Sequence, residues 1–216
     1  MSAVDGKIYQ ILTTLWDIMY MGLLWTLFSL PLVTIGASTT ALYYIATKKV
    51  TDREGSYMIQ DFWTSFKENF VQSTVSFLLL VAVGIMVLYN FILLAQMELG
   101  SFGFIVRLAL IFVTIQLIFI ITTIFAVIAR FDLTLMPAFK ASFALANKHL
   151  FSTVVNVAIL LALIYITLRI PVIILFSMST YCYFASFSLV RIFKKNNTEF
   201  EEYIDRADIV VTKISE

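Results

Sequence analysis

The chain has 216 residues, of which 61% are hydrophobic and 13% are charged, and its formal net charge is +1. Soluble domains carry roughly 25% charged residues, so this composition excludes an ordinary soluble protein. The near-neutral charge provides no clustered basic surface for nucleic acid. The single cysteine, Cys182, has no partner for a disulfide. We therefore expect an all-α, polytopic helical membrane protein.

Five stretches contain no charged residue, and each reaches or approaches the length of a membrane-crossing helix. A bilayer core of about 30 Å needs about 20 apolar residues in a helix. The five stretches cover residues 18–47, 69–97, 108–129, 150–168 and 170–190. They predict one membrane domain over residues 1–192, followed by an amphipathic cytoplasmic tail over residues 193–216.

The first stretch is too long for one ordinary span and holds Pro31 and Gly36 near its middle. Proline lacks a backbone N–H and restricts the residue before it, so Pro31 predicts the end of a helix. We expect one helix over residues 12–30 and a return helix over residues 34–47. The alternative is a single tilted helix with a proline kink. The hairpin gives six membrane segments in three hairpins, and the kinked helix gives five.

Two of the connecting stretches have apolar residues at helical spacing, which predicts amphipathic helices in the membrane interface. The first covers residues 59–70 and the second residues 136–150, and the tail over residues 200–214 has a similar pattern. These helices offer the candidate contacts with a partner protein: Phe62, Trp63, Phe66, Lys67, Glu68, Phe139 and Phe143.

The surroundings of Pro31 recur around Pro171 without a gap. Thr39-Thr40 and Tyr43-Tyr44 follow the first proline, and Ser179-Thr180 and Tyr183-Phe184 follow the second at the same offsets. Weak internal similarity of this kind is typical of membrane folds built from repeats. Chance matches between common residues are the alternative.

The distribution of lysine and arginine predicts the orientation. With six segments, the N-terminus, the loops over residues 47–70 and 130–149, and the tail from residue 191 share one side, which holds 13 of the 15 basic residues. Cytoplasmic loops are enriched in lysine and arginine, so we expect both termini in the cytoplasm. Arg107 and Arg169 lie on the opposite side.

Several polar residues fall within the predicted membrane segments. Charges at membrane depth usually have a function, whereas small hydroxyl residues more often allow membrane helices to pack closely. The polar candidates are Asp17, Ser38, Thr39, Thr40, Arg169, Ser179 and Thr180. His149 is the single histidine, and neither H-E-x-x-H nor G-x-S-x-G occurs. We expect no catalytic, metal or cofactor-binding site, and therefore no enzyme.

The segment Ser29-Leu30-Pro31-Leu32-Val33-Thr34-Ile35-Gly36-Ala37-Ser38-Thr39-Thr40-Ala41-Leu42-Tyr43-Tyr44 resembles the YesL family of bacterial membrane proteins. Asn69-Phe70 after Ser65-Phe66-Lys67 is similar too. The family is a domain of unknown function whose members are commonly encoded beside carbohydrate ABC importers. The resemblance implies a multi-pass protein of the bacterial cell membrane with a role beside such an importer.

We therefore expect a non-enzymatic accessory subunit that binds the permease subunits of a carbohydrate importer within the lipid bilayer. The chain lacks the permease coupling motif and the phosphate-binding loop of the importer ATPase. The alternatives are a stand-alone small-solute transporter or channel, and a membrane scaffold or assembly factor. Direct binding of sugar stays open at this point.

Overall fold

The computed structural model describes residues 3–51, 58–96, 100–131 and 133–195, and over these ranges every regular element is a helix. The tail helix expected over residues 200–214 lies outside the described residues. Two short 3-10 turns, Leu32–Thr34 and Pro171–Ile173, interrupt the α-helices. The α-helices are α1 (Ala3–Phe28), α2 (Ile35–Thr51), α3 (Met58–Glu68), α4 (Phe70–Gln96), α5 (Gly100–Arg130), α6 (Leu135–Lys148), α7 (Leu150–Arg169) and α8 (Ile174–Lys195).

Four helical segments are long and apolar enough to cross a bilayer: Ile11–Phe28, Phe70–Gln96, Gly103–Arg130 and Leu150–Arg169. These belong to α1, α4, α5 and α7, and they give the chain the character of a helical membrane protein. By helix length and composition, α2 and α8 do not qualify as membrane spans, so the predicted count of six spans is not confirmed. Helix α2 has only 17 residues, and α8 carries many hydroxyl side chains among its apolar ones.

The first apolar stretch folds back as a hairpin. The Trp25 indole donates to the Thr39 hydroxyl over 3.1 Å, and the Lys49 ammonium lies 2.8 Å from the Asp17 carboxylate. Earlier positions in α1 thus meet later positions in α2, which is the pattern of antiparallel helices. The helix ends at Phe28, three residues before Pro31, so the stretch folds back as predicted and is not one continuous helix, while a second membrane crossing by α2 stays a prediction.

Helix α2 lies at the centre of the fold. It packs against α1, α3, α4, α5 and α8, and every residue from Gly36 to Tyr43 is buried. Helix α8 is its main long neighbour on one side, where the Tyr43 and Tyr181 rings meet edge to face with centroids 6.4 Å apart. In contrast, α4 and most of α5 expose large apolar side chains on several faces.

The two predicted amphipathic helices are present as α3 and α6, and each is followed by a one-residue break before a long apolar helix. Asn69 separates α3 from α4, and His149 separates α6 from α7. Both helices fold back onto the preceding helix, α3 onto α2 and α6 onto α5. The order of helix, amphipathic helix, one-residue break and long apolar helix therefore occurs twice, over α2–α4 and over α5–α7.

Candidate functional site

The hydroxyl residues of α2 are held in contacts between helices. Ser38, Thr39 and Thr40 are buried. The Thr40 and Ser73 hydroxyls share a hydrogen bond of 2.7 Å between α2 and α4, and Thr39 accepts the bond from Trp25. Ser38 has no hydrogen-bond partner within the described residues. Thr39 and Thr40 therefore join neighbouring helices, and Thr39 also contributes to the wall of an apolar cavity.

Close packing between helices explains the glycines at positions 36 and 22. A Cβ atom added at Gly36 would collide with the Ser73 carbonyl oxygen and lie 2.7 Å from the Phe77 Cβ. One added at Gly22 in α1 would meet the Leu175 carbonyl oxygen and lie 2.9 Å from the Ser179 Oγ. Backbone approach of this kind is characteristic of small residues at membrane-helix interfaces. Ser179 is buried there, and Thr180 beside it is half-buried.

Asp17 is paired within the chain. Its carboxylate lies 2.8 Å from the Lys49 ammonium, and the side chains are only 16% and 23% exposed. A buried charge is stable when an opposite charge accompanies it, so the pair joins α1 to the end of α2.

The two arginines on the side poor in basic residues lie near the ends of their helices. The Arg169 guanidinium sits over the Tyr165 ring, 5.5 Å from its centroid. The Arg107 guanidinium donates over 3.5 Å to the Leu94 carbonyl of the neighbouring helix. Both are exposed, as expected for side chains that extend toward the membrane surface.

The apolar face of α3 is covered by protein. The Phe28 ring lies 5.2 Å from the Phe62 ring and 5.3 Å from the Phe66 ring, centroid to centroid, and both partners are buried. We expected this face to lie on lipid. The difference arises because the end of α1 reaches α3 and covers its two phenylalanines.

The edge of α3 beside this face stays accessible, although the Trp63 ring there contacts Phe28 at 5.5 Å and Phe66 at 5.8 Å, centroid to centroid. Trp63 is 43% exposed, and Lys67 and Glu68 are exposed as well. The Lys67 ammonium lies 4.7 Å from the centre of the Trp63 ring, which is a cation–π contact. We call Trp63, Lys67 and Glu68 the α3 edge. Of the first group of predicted partner contacts, only this edge is on the surface.

Helix α6 is joined to α5 by side-chain hydrogen bonds that its amphipathic pattern did not predict. Gln116 of α5 and Asn147 of α6 exchange two amide hydrogen bonds of 3.2 and 3.1 Å. Phe139 packs against the core, and Phe143 is exposed. The sequence does not predict this pair, because no local pattern reveals which distant side chain a polar residue will meet.

A polar cavity of about 370 Å³ lies between the ends of α2 and α5. Lys48 and Arg130 bring two positive charges to its wall, and Lys48 also forms an ion pair of 2.8 Å with Asp61. The remaining lining includes the hydroxyl groups of Tyr44, Thr47 and Thr51. Charged and hydroxyl donors of this kind suit an acidic group. In the described ranges, no three histidine, cysteine, aspartate or glutamate residues meet as a metal site would require.

Two other cavities are almost entirely apolar. The inner cavity, of about 280 Å³, lies between α2, α4, α5, α7 and α8 and includes Phe77 and Phe125 in its wall. The outer cavity, of about 240 Å³, lies between α1, α7 and α8 and includes Trp25 and Leu163. Leu160, Met178 and Tyr181 contribute to both. Neither cavity could be predicted from the sequence, since their walls are formed by ordinary apolar residues from several helices.

A family model described as "Protein of unknown function, DUF624" matches residues 18–91. The match covers most of the first hairpin, α3 and most of α4, about a third of the chain. No curated protein and no solved structure matches. Over residues 18–91, the chain is therefore similar to a domain family of unknown function.

Proposed function

We propose that this chain is a non-enzymatic accessory subunit of a bacterial carbohydrate ABC importer, bound beside the permease in the cell membrane. The sugar connection rests on the resemblance to the YesL family. The observation that carries an interaction role is the α3 edge: the apolar face of the helix is covered within the chain, while Trp63, Lys67 and Glu68 are left exposed.

The composition of the α3 edge suits a partner protein. Tryptophan is enriched where proteins meet, and a cation on its ring adds directional attraction. The exposed side chains of Phe70 and Val71 continue this surface at the start of α4. A neighbouring permease would thus meet polar contacts at the membrane surface and apolar contacts within the bilayer.

The apolar cavities favour an accessory role over sugar transport by this chain alone. A sugar carries many hydroxyl groups, and each one buried without a hydrogen bond costs roughly 1–3 kcal/mol on the scale of protein mutations. The wall of the inner cavity offers only Thr39, Tyr43, Thr122 and Tyr181 as polar side chains. Tyr43 already donates to the Thr122 carbonyl and Thr39 already binds Trp25, so few partners remain for sugar.

Affinity purification from native membranes in mild detergent, followed by mass spectrometry, tests the proposal. We expect the permease and ATPase subunits of an importer in stoichiometric amounts. Their absence would contradict the proposal and favour a stand-alone transporter or a scaffold instead.

Charge exchange at the α3 edge locates the contact. Lys67→Glu with Glu68→Lys preserves the net charge but removes the cation–π contact and reverses any pairing with a partner. We expect recovery of the permease to fall about tenfold, equivalent to about 1.4 kcal/mol, without loss of membrane insertion. Lys140→Glu on the exposed side of α6 is the matched control. Unchanged recovery in a folded double variant would exclude this edge as the contact.

We further infer six membrane segments, with α2 and α8 crossing in addition to the four longer helices and both termini in the cytoplasm. Single cysteines in a Cys182→Ala background test this with a membrane-impermeant thiol reagent. Leu30 and Val172, exposed beside the two 3-10 turns, should be labelled in intact cells. Gln60 and Lys140, exposed on α3 and α6, should react only after permeabilisation. Protection of Leu30 from both sides would show that the first hairpin ends inside the bilayer.

A further inference from the structure

The outer cavity opens toward the lipid. Ile164, Leu168 and Ile174 contribute to its wall and are 47%, 77% and 57% exposed. All three lie near the α7–α8 turn, on helices whose outer faces carry apolar side chains. In a membrane, this opening would face the hydrocarbon tails of one leaflet, the leaflet in which the α7–α8 turn lies.

An apolar cavity has little attraction for water and accepts apolar ligands instead. The outer cavity is lined by leucine, isoleucine, methionine and tryptophan, with few polar side chains. Because its opening faces hydrocarbon, the molecules that reach it first are the acyl chains of membrane lipids. A peptide strand is a poor occupant, since its backbone groups would find too few partners.

We propose that the outer cavity is a binding site for one acyl chain of a membrane phospholipid, which enters between the outer ends of α7 and α8. The inner cavity extends this site past Leu160, Met178 and Tyr181. The inference is independent of the proposed importer role, because it depends only on the cavity walls and their exposure to lipid.

Two polar details fit a lipid with its headgroup near the α7–α8 turn. Thr167 lines the outer cavity, and its buried hydroxyl has no hydrogen-bond partner within the described residues. Because Thr167 lines the cavity, a rotation of its side chain would allow this hydroxyl to donate to an ester carbonyl of the lipid. Arg169, two residues further along, is exposed at the end of the same helix, where a phosphate would lie.

Trp25 provides a reporter in the wall of the cavity. Its indole is fixed by the hydrogen bond to Thr39, whereas Trp16 on the same helix is 70% exposed. A protein with Trp25 as its single tryptophan (Trp16→Phe, Trp63→Phe) reports on the cavity. A second protein with Trp16 alone (Trp25→Phe, Trp63→Phe) reports on lipid outside the cavity.

The experiment measures fluorescence quenching in vesicles of phosphatidylglycerol and phosphatidylethanolamine whose acyl chains are brominated near their middle. Ser177→Phe places a large side chain in the outer cavity. We expect it to at least halve the quenching of Trp25 and to leave that of Trp16 unchanged. Leu175→Phe, on the same helix but outside the cavity wall, is the matched control and should change neither signal.

Equal quenching of Trp25 in the parent and in a folded Ser177→Phe protein would overturn the proposal. If Ser177→Phe does not fold, Leu160→Phe fills the wall shared by both cavities and takes its place. Native mass spectrometry gives a second measurement, in which the full chain released from mild detergent should retain one phospholipid and the filled variant none. Equal retention by both would also overturn the proposal.

Discussion

The central pair of helices, α2 and α8, contrasts with the peripheral pair, α4 and α5. The central helices are rich in serine, threonine and tyrosine; most residues of α2 are buried, and α8 buries one face that includes Ser179, Tyr181 and Ser186. Helix α4 and the first two-thirds of α5 are much more apolar, yet they expose leucine, isoleucine, valine and phenylalanine on several faces. Apolarity along this chain therefore marks contact with lipid and not position in the core.

The contrast has a physical cause. Lipid tails are as apolar as leucine, so no hydrophobic force drives one membrane helix against another. Close packing and hydrogen bonds between helices supply the attraction instead, and these need small and hydroxyl side chains. Helix α2 has both, as its contacts with Ser73, Trp25 and Thr122 show. Three substitutions test this comparison, in order of decreasing effect.

Gly36→Ala in α2 and Gly84→Ala in α4 should have opposite effects. The added methyl group at Gly36 meets the Ser73 backbone, whereas at Gly84 no atom lies within 4 Å. We expect Gly36→Ala to destabilise the fold by about 1–3 kcal/mol or more through overpacking. Gly84→Ala should be neutral or stabilise by up to about 1 kcal/mol through helix propensity. Thermal unfolding in detergent measures both, and equal midpoints would contradict the central position of α2.

Removal of one charge from the Asp17–Lys49 pair should cost more than removal of both. Asp17→Asn leaves the half-buried Lys49 ammonium without its partner. We expect a loss of about 1–3 kcal/mol, below the roughly 3–5 kcal/mol of a fully buried pair. The double variant Asp17→Asn with Lys49→Met should recover part of that loss. A double-mutant cycle on thermal stability measures the coupling, and additive effects would show that the pair is unimportant.

The hydroxyl pair between α2 and α4 should have the smallest measurable effect. Thr40→Val and Ser73→Ala remove the shared hydrogen bond of 2.7 Å. Membrane hydrogen bonds of this kind average about 0.6 kcal/mol in double-mutant cycles. Thr114→Val in the peripheral part of α5 is the control, since its hydroxyl bonds only to the Leu110 carbonyl of its own helix. A coupling energy near zero would leave close packing as the main attraction in the core.

Much of the local structure could be predicted from the sequence because its causes are local. Pro31 lacks a backbone N–H, so the helix before it had to end nearby, and it does so at Phe28. The spacing of Phe62 and Phe66 required one apolar face, and α3 has one. The observed helix boundaries differ from the predicted ones mainly at two polar ends. Helix α1 begins at Ala3, before the predicted start at residue 12, and α2 continues to Thr51, beyond the predicted end at residue 47.

The candidate site was harder to predict, since its residues come from distant parts of the chain. The sequence indicated that Phe62, Trp63 and Phe66 share a face but not that Phe28 would cover two of them. It likewise placed Asp17 in a membrane segment without identifying Lys49 as its partner. Which helix packs on which depends on three-dimensional contacts that no local spacing records.

The sequence by itself determined the solvent of this protein, its helical class and its proline turns, because a bilayer admits only segments that satisfy their own backbone hydrogen bonds. The tertiary structure alone decided that α2 and α8, which are less apolar than the four candidate membrane spans, form the centre. It also decided where the two apolar cavities lie. Both outcomes follow from how helix surfaces fit together, since in lipid their burial is governed by shape and hydrogen bonding and not by hydrophobicity.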